Sequence, residues 1–326
     1  MTPLLEVSNL VTEFGGGKDR PGLRAVNGVS FTVERGKVLG LVGESGSGKS
    51  VTGFSIMRLL EKPGRIAGGQ VLFDGEDIAG YSDDEMRQLR GRRIAMVFQD
   101  PMTTLNPVLT IGTQMIEAVQ AHDPVSKDAA RQRARDALGL VGIPSPEERL
   151  SAYPHQFSGG MRQRVAIAIA LLHKPDLIIA DEPTTALDVT IQSQIISEFQ
   201  RLTEEANTAV IWITHDLAIV SRLADEIAVM YAGRLVETGP VGQVLTDPRH
   251  PYTAGLIASV PSQNRRGEPL RQIRGMTPAI DRLPKGCSFR ARCDRATNGC
   301  LRLPDLAPEG ARSFRCFHPV MNESAS

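Results

Sequence analysis

The stretch Lys37-Val38-Leu39-Gly40-Leu41-Val42-Gly43-Glu44-Ser45-Gly46-Ser47-Gly48-Lys49-Ser50 decides how the rest of the chain is read. A short apolar run passes into a glycine-rich turn, the pattern of a buried parallel strand feeding a helix. The turn fits G-x-x-x-x-G-K-[ST]. Its glycines let backbone N–H groups wrap phosphates, and the helix starting near Lys49 adds positive potential at its N-terminus. Lys49 is placed to reach the β- and γ-phosphates of ATP, and the Ser50 hydroxyl to ligate Mg²⁺. Residues Gly43, Glu44, Ser45, Gly46, Ser47, Gly48, Lys49 and Ser50 are therefore the expected phosphate site.

Working outward, short β-rich runs precede and follow this stretch at Leu4–Val11, Ala25–Val33 and Gln70–Phe73, punctuated by Gly15-Gly16-Gly17 and Asp74-Gly75. Asp83–Arg92 is a polar helical stretch, and Ile94–Phe98 is a second buried-strand candidate. Between Ile111 and Leu172 the pattern is mostly helical, with Lys127–Leu140 amphipathic and Met161–Leu172 rich in Ala, Ile and Val. Strands return at Leu177–Ala180 and Val210–Thr214, separated by a helix over Thr190–Ala206. Strand, helix, strand in this order predicts right-handed parallel crossovers and a doubly wound α/β core. Leu177-Ile178-Ile179-Ala180-Asp181-Glu182 ends its strand in two carboxylates. Asp181 can hold the Mg²⁺ shell, and Glu182 can orient and deprotonate an attacking water. Both motifs fall where α/β sheets collect ligands, at the carboxyl ends of strands.

Phe157-Ser158-Gly159-Gly160-Met161-Arg162-Gln163-Arg164 opens an apolar helix with a Ser-Gly-Gly turn, another helix-start anion site. Together with Asp181-Glu182 it closely resembles the signature of ABC-type ATPases. The family's other hallmarks are present in family order. Gln99 stands as in the Q-loop, Ala186-Leu187-Asp188 as in the D-loop, and His215 as the switch histidine; Phe14 stands as an aromatic for stacking on adenine. The resemblance covers roughly residues 4 to 250. It implies a P-loop NTPase core with an antiparallel β subdomain and an inserted helical subdomain at about 101–174. It also implies that Gln99 joins Ser50 and Asp181 around Mg²⁺. Ser158, Gly159, Gly160 and Asp188 would meet ATP held by a second ATPase subunit, identical or paralogous. With one core, the chain would have to pair to complete its site.

Gln99-Asp100-Pro101-Met102-Thr103-Thr104-Leu105-Asn106-Pro107, His250-Pro251-Tyr252-Thr253 and Gly255–Pro261 resemble the dipeptide/oligopeptide/nickel importer branch of that family. The resemblance implies an ATPase subunit of a binding-protein-dependent importer. It would dock on two membrane-spanning permease subunits and serve a solute-binding protein indirectly. The rival reading is a soluble ABC ATPase acting on nucleic acid or ribosomes. Neutral charge, a single core and the His-Pro-Tyr-Thr segment disfavour it.

After Pro248 the texture becomes rich in proline, arginine and glycine, and residues 251–326 read as a separate small module. Its four cysteines, Cys287, Cys293, Cys300 and Cys316, are the chain's only ones. No pair has the C-x2-C spacing of a zinc knuckle, and zinc, an iron–sulfur cluster and unligated thiols all remain open from spacing alone. The arrangement resembles the C-terminal region of the importer branch, which implies a [4Fe–4S] cluster; four Cys ligands suit one.

The 326 residues balance 37 Lys and Arg against 37 Asp and Glu, so no global basic field gathers nucleic acid. Residues 262–326 hold 12 Lys and Arg against 6 Asp and Glu, either a solvated surface or a face for an anionic partner. Met1–Phe14 lacks the basic and apolar regions of a signal peptide, and no run of 18 apolar residues exists. The expected location is the cytoplasmic face of the inner membrane, held peripherally.

Overall fold

The structure, a computed structural model, describes residues 2–16, 22–100, 104–185, 187–260 and 271–321. The strands are β1 (Leu5–Phe14), β2 (Leu23–Val33), β3 (Val38–Val42), β4 (Arg65–Phe73), β5 (Glu76–Asp77), β6 (Ile94–Val97), β7 (Leu177–Asp181), β8 (Ala209–Thr214), β9 (Glu226–Tyr231), β10 (Arg234–Pro240), β11 (Ala307–Glu309) and β12 (Arg312–Phe314). The helices used below are α1 (Lys49–Ile56), α2 (Asp83–Leu89), α3 (Ile111–Gln120), α4 (Lys127–Leu140), α5 (Gly159–Leu171), α6 (Val189–Ala206), α7 (Leu217–Leu223) and α8 (Pro251–Ala258). The chain divides into two compact units: Met1–Thr32, Val38–Ala79 and Ile213–Ser326 form the first, and Val33–Lys37 with Gly80–Trp212 the second.

The first unit contains an antiparallel sheet in the order β2-β1-β4-β5, with Leu5 opposite Phe73 and Val7 opposite Val71. It also contains strands in the order β11-β12-β10-β9-β3. All five residues of β3 are buried, as its unbroken apolar run requires of a strand covered on both faces. β3 pairs parallel with β9, Leu41 opposite Ala228. The strand ends at Val42, so the turn that begins at Gly43 is presented from the end of a buried strand.

In the second unit β6 and β7 pair in parallel, Ile94 opposite Leu177 and Val97 opposite Ala180, and both are fully buried. Trp212 of β8 is wholly buried and meets Phe199 of α6 edge-on at 5.0 Å between ring centroids. Asp176, just before β7, takes ion pairs from Arg93 at 2.7 Å and Arg35 at 3.4 Å. Helix α2 is stopped where Arg90 turns extended, three residues short of its polar run, after a capping box between Ser82 and Glu85. Helix α4 spans the predicted amphipathic stretch and buries Ala130, Ala134, Ala137 and Leu138 on one face. Pro101, Met102, Thr103, Ala186 and Pro261, which belong to the expected Q-loop, D-loop and importer segments, lie outside the described residues, as does Gly17.

Candidate functional site

The phosphate loop belongs to the first unit. Gly43 has φ 154° and Gly48 φ 103°, backbone conformations that L side chains rarely adopt. A Cβ on Gly43 would lie 2.2 Å from the Met230 carbonyl oxygen, and one on Gly48 2.5 Å from that of Ala25. Both glycines are therefore demanded by how closely the loop packs on its own unit. At the crown the demand is reversed: a Cβ on Gly46 would meet nothing within 4 Å. Lys49, the first residue of α1, is 5% exposed. It curls back so that Nζ donates to the carbonyls of Gly43 at 2.8 Å and Glu44 at 3.0 Å. The Ser47 hydroxyl is buried in the loop with no hydrogen-bond partner among the described residues. An ammonium held against the loop, an orphaned hydroxyl and an open crown suit a polyphosphate.

Glu44 is the most heavily tied residue of this loop. Arg292 grips its carboxylate with both terminal nitrogens, at 2.6 and 3.0 Å, and the Thr277 hydroxyl donates to it at 2.6 Å. The Glu44 backbone N–H donates to the Tyr252 hydroxyl at 2.8 Å. The hydrogen bonds from Arg292 hold the Glu44 carboxyl below its usual range. Tyr252 comes from the His-Pro-Tyr-Thr segment, for which the structure supplies a physical reason. His250 caps α8, its Nδ1 accepting from the Tyr252 N–H at 3.0 Å. The buried carboxylate of Glu237 in turn accepts from the backbone N–H groups of Arg249 and His250. Burial drives the His250 pKa down to about 3, so the ring is neutral and able to accept.

Two further expected site residues lie in this unit. His215 is exposed on the turn after β8, and the next residue, Asp216, caps α7 through Ala218 N–H at 2.8 Å. Phe14 ends β1 with its ring against Gly64: a Cβ there would be 2.6 Å from the ring edge.

The second unit carries the other residues. Asp181 ends β7 and is 2% exposed. Glu182 follows at φ 46°, a left-handed conformation that is unusual for a glutamate. Its carboxylate accepts from Thr185 Oγ1 at 3.0 Å and from Gln99 Nε2 at 3.5 Å. Strain of this kind collects at working residues. Asp188 caps α6, accepting from Ile191 N–H at 3.0 Å. Ser158 caps α5 through Met161 N–H at 3.3 Å, and Gly159 and Gly160 are the helix's first residues. A Cβ on Gly160 would lie 3.3 Å from the Leu187 side chain, so the signature turn and the D-loop are neighbours. Ser158 and Gly159 are exposed, which leaves the positive end of a 13-residue helix open to an anion.

The cysteines correct an expectation. Cys287, Cys293, Cys300 and Cys316 line one narrow cavity and are all unpaired. Among the described residues, however, no three His, Cys, Asp or Glu side chains are arranged to hold a metal ion. Burial pushes the thiols of Cys287, Cys293 and Cys316 upward, that of Cys316 to about 11. The described residues thus do not support the expected [4Fe–4S] cluster, nor zinc in its place. Arg290 and Arg295 border the same cavity.

Residues 26–185 match the ABC transporter family, and residues 236–300 match the oligopeptide/dipeptide transporter C-terminal region. The chain is 50% identical to the oligopeptide transport ATP-binding protein OppD of Bacillus subtilis, over 91% of this chain and 83% of that one. It is 48% identical to the dipeptide transport ATP-binding protein DppD of Escherichia coli, over 97% of both. Among solved structures, a dimeric ATP-binding cassette in a post-hydrolysis state with ADP and Pi matches with a TM-score of 0.66 at 28% identity, covering 73% of this chain and 98% of that one. The fold is therefore that of an ABC ATPase, a mixed α/β architecture. The chain belongs to the ATP-binding subunits of ABC transporters, in the oligopeptide/dipeptide family.

Proposed function

We propose that this chain hydrolyses ATP to power a binding-protein-dependent importer of dipeptides or oligopeptides. It is an ATPase coupled to transport, and the observation that carries the reading is the phosphate loop with Lys49 turned onto it, in a chain half identical to a peptide-transport ATP-binding protein. Lys49 and the loop bind the triphosphate. Ser50, Asp181 and Gln99 offer hard oxygen donors of the kind Mg²⁺ takes, and the ion would neutralise charge on the phosphates. Glu182 orients and deprotonates the attacking water, and His215 assists at the γ-phosphate. Phe14 is the adenine-stacking aromatic.

The exposed turn at Ser158-Gly159-Gly160 and the neighbouring Asp188 complete the site of a second ATPase subunit, identical or paralogous. ATP binding closes the pair and hydrolysis reopens it. In this scheme residues 1–250 are the ATPase domain, 101–174 its helical subdomain and 251–326 the C-terminal module. Two permease subunits receive the movement, a solute-binding protein delivers the peptide, and the ATPase sits at the cytoplasmic face of the membrane. No helix among the described residues is long and apolar enough to cross a membrane. The test is reconstitution with permease subunits of an oligopeptide/dipeptide importer from the same cell. Vesicles should take up a labelled dipeptide only when ATP is present on the ATPase side. ATP-independent uptake, or ATP hydrolysis that no peptide and binding protein can stimulate, would reject the importer reading.

A further inference from the structure

The phosphate loop carries a carboxylate, Glu44, at the position where a polyphosphate is to bind, and that charge has to be managed. Left unpaired, it would repel the nucleotide and attract the Lys49 ammonium, whose Nζ already sits on the Glu44 carbonyl at 3.0 Å. The structure shows how the charge is managed. Arg292 forms a two-pronged ion pair with Glu44, and only 6% of the Arg292 side chain is exposed. Arg292 is itself fixed: its Nε donates to the Arg274 carbonyl at 2.8 Å, and Nη2 donates to the Gly275 carbonyl at 3.1 Å. Its guanidinium carbon stands 5.9 Å from the ring centres of both Tyr231 and Phe289. A planar fork held at both ends matches a carboxylate in a way a lysine cannot. The Tyr252 hydroxyl fixes the same residue from its backbone side.

We propose that Arg292 is a positioning residue for nucleotide binding, which neutralises and anchors Glu44 so that the phosphate loop and Lys49 stand ready for ATP. This rests on the reading of residues 43–50 as the phosphate loop. It gives the C-terminal stretch around Arg292 a part in the ATPase site, a part that none of the ABC motifs assigns to it. The effect falls on nucleotide affinity, because Arg292 acts on the loop through Glu44.

The experiment is a double-mutant cycle on the full chain, read by equilibrium ATP binding and by KM against kcat in the assembled transporter. Arg292→Met should weaken ATP binding and raise KM about tenfold with kcat within about twofold, the scale of one charge-assisted pair. Arg292→Lys should recover part of the loss. In the Glu44→Gln background, Arg292→Met should cost less than about twofold, since no charge is left to manage. Wild-type affinity in Arg292→Met overturns the proposal, as does an equal loss in both backgrounds, the mark of a merely structural role. If Arg292→Met does not fold, the Arg292→Lys variant, with and without Glu44→Gln, answers the same question. Lys49→Ala separates the two layers. If it loses ATP while Arg292→Met does not, the anchoring idea alone fails. If Lys49→Ala binds ATP normally, the phosphate-loop reading fails and the inference with it.

Discussion

Two glutamates mark the two halves of this ATPase, and they are held in different ways. Glu44, in the first unit, is tied by Tyr252 and Arg292, 208 and 248 residues further along the chain. Glu182, in the second unit, is met by Thr185 three residues away and by Gln99 at the loose distance of 3.5 Å, on backbone held at φ 46°. The first arrangement fixes a loop by long-range contacts formed once the unit folds. The second combines one near neighbour and one long, weak contact on a backbone held in the left-handed region. One glutamate is thus fixed by distant residues on its own unit, while the other stands on a strained backbone with weaker side-chain ties.

Glu182 is where a substitution should do the most. Glu182→Gln should lower ATP hydrolysis about 10²–10⁴-fold while ATP binding persists; turnover like that of the unaltered protein would take the base role from this residue. On the other side, Gly43→Ala should destabilise the fold by about 3 kcal/mol, because the new methyl runs into the Met230 carbonyl and the backbone angle is one alanine avoids. Chemical denaturation reads this directly, and a neutral result would show that the loop is not held as described.

Acid should loosen the tie that starts from His250. Its imidazole titrates near 6.5 when unfolded and near 3 in the fold. Between those values the unfolded chain binds the extra proton, so stability falls as pH drops. From pH 6.5 to 5 the loss is about 2 kcal/mol. His250→Asn, whose side-chain oxygen can still accept from the Tyr252 N–H, should flatten this slope in denaturation curves taken across that range. An unchanged slope would mean the histidine is not the group responsible. The smallest effect belongs to the second unit. Asp188→Ala removes the cap of α6 and should cost about 1 kcal/mol, seen as faster amide exchange in the first turn of that helix; protection equal to that of the unaltered chain would reject the cap.

What could be read from the sequence was local. The phosphate loop, the Asp181-Glu182 strand end and the amphipathic α4 each declare themselves within a dozen residues, because spacing alone fixes which groups share a turn or a face. The β9–β10 hairpin escaped notice because Ala232, at φ 47°, sits where Asn or Asp would have announced the turn. Arg292 escaped for another reason. It is one arginine in a basic stretch, and nothing nearby in sequence shows that it faces a glutamate 248 residues earlier. The cysteine expectation failed likewise: four thiols did converge on one cavity, but their spacing says nothing of how the side chains are turned, and among the described residues no three of them are arranged to hold a metal ion.

The distance between Glu44 and Arg292 along the chain also bears on how the protein is made. At about 5–20 residues per second, the ribosome spends roughly 12–50 seconds between the two. Throughout that interval the emerging phosphate loop carries an unneutralised carboxylate and lacks its anchor. If Arg292 anchors the loop as proposed, a half-made subunit is a poor competitor for cellular ATP, and nucleotide capture waits for nearly the whole chain. ATP affinity measured on ribosome-held chains of increasing length should rise in a step once residue 292 is free of the ribosome. A gradual rise from the first 100 residues onward would argue against any such delay.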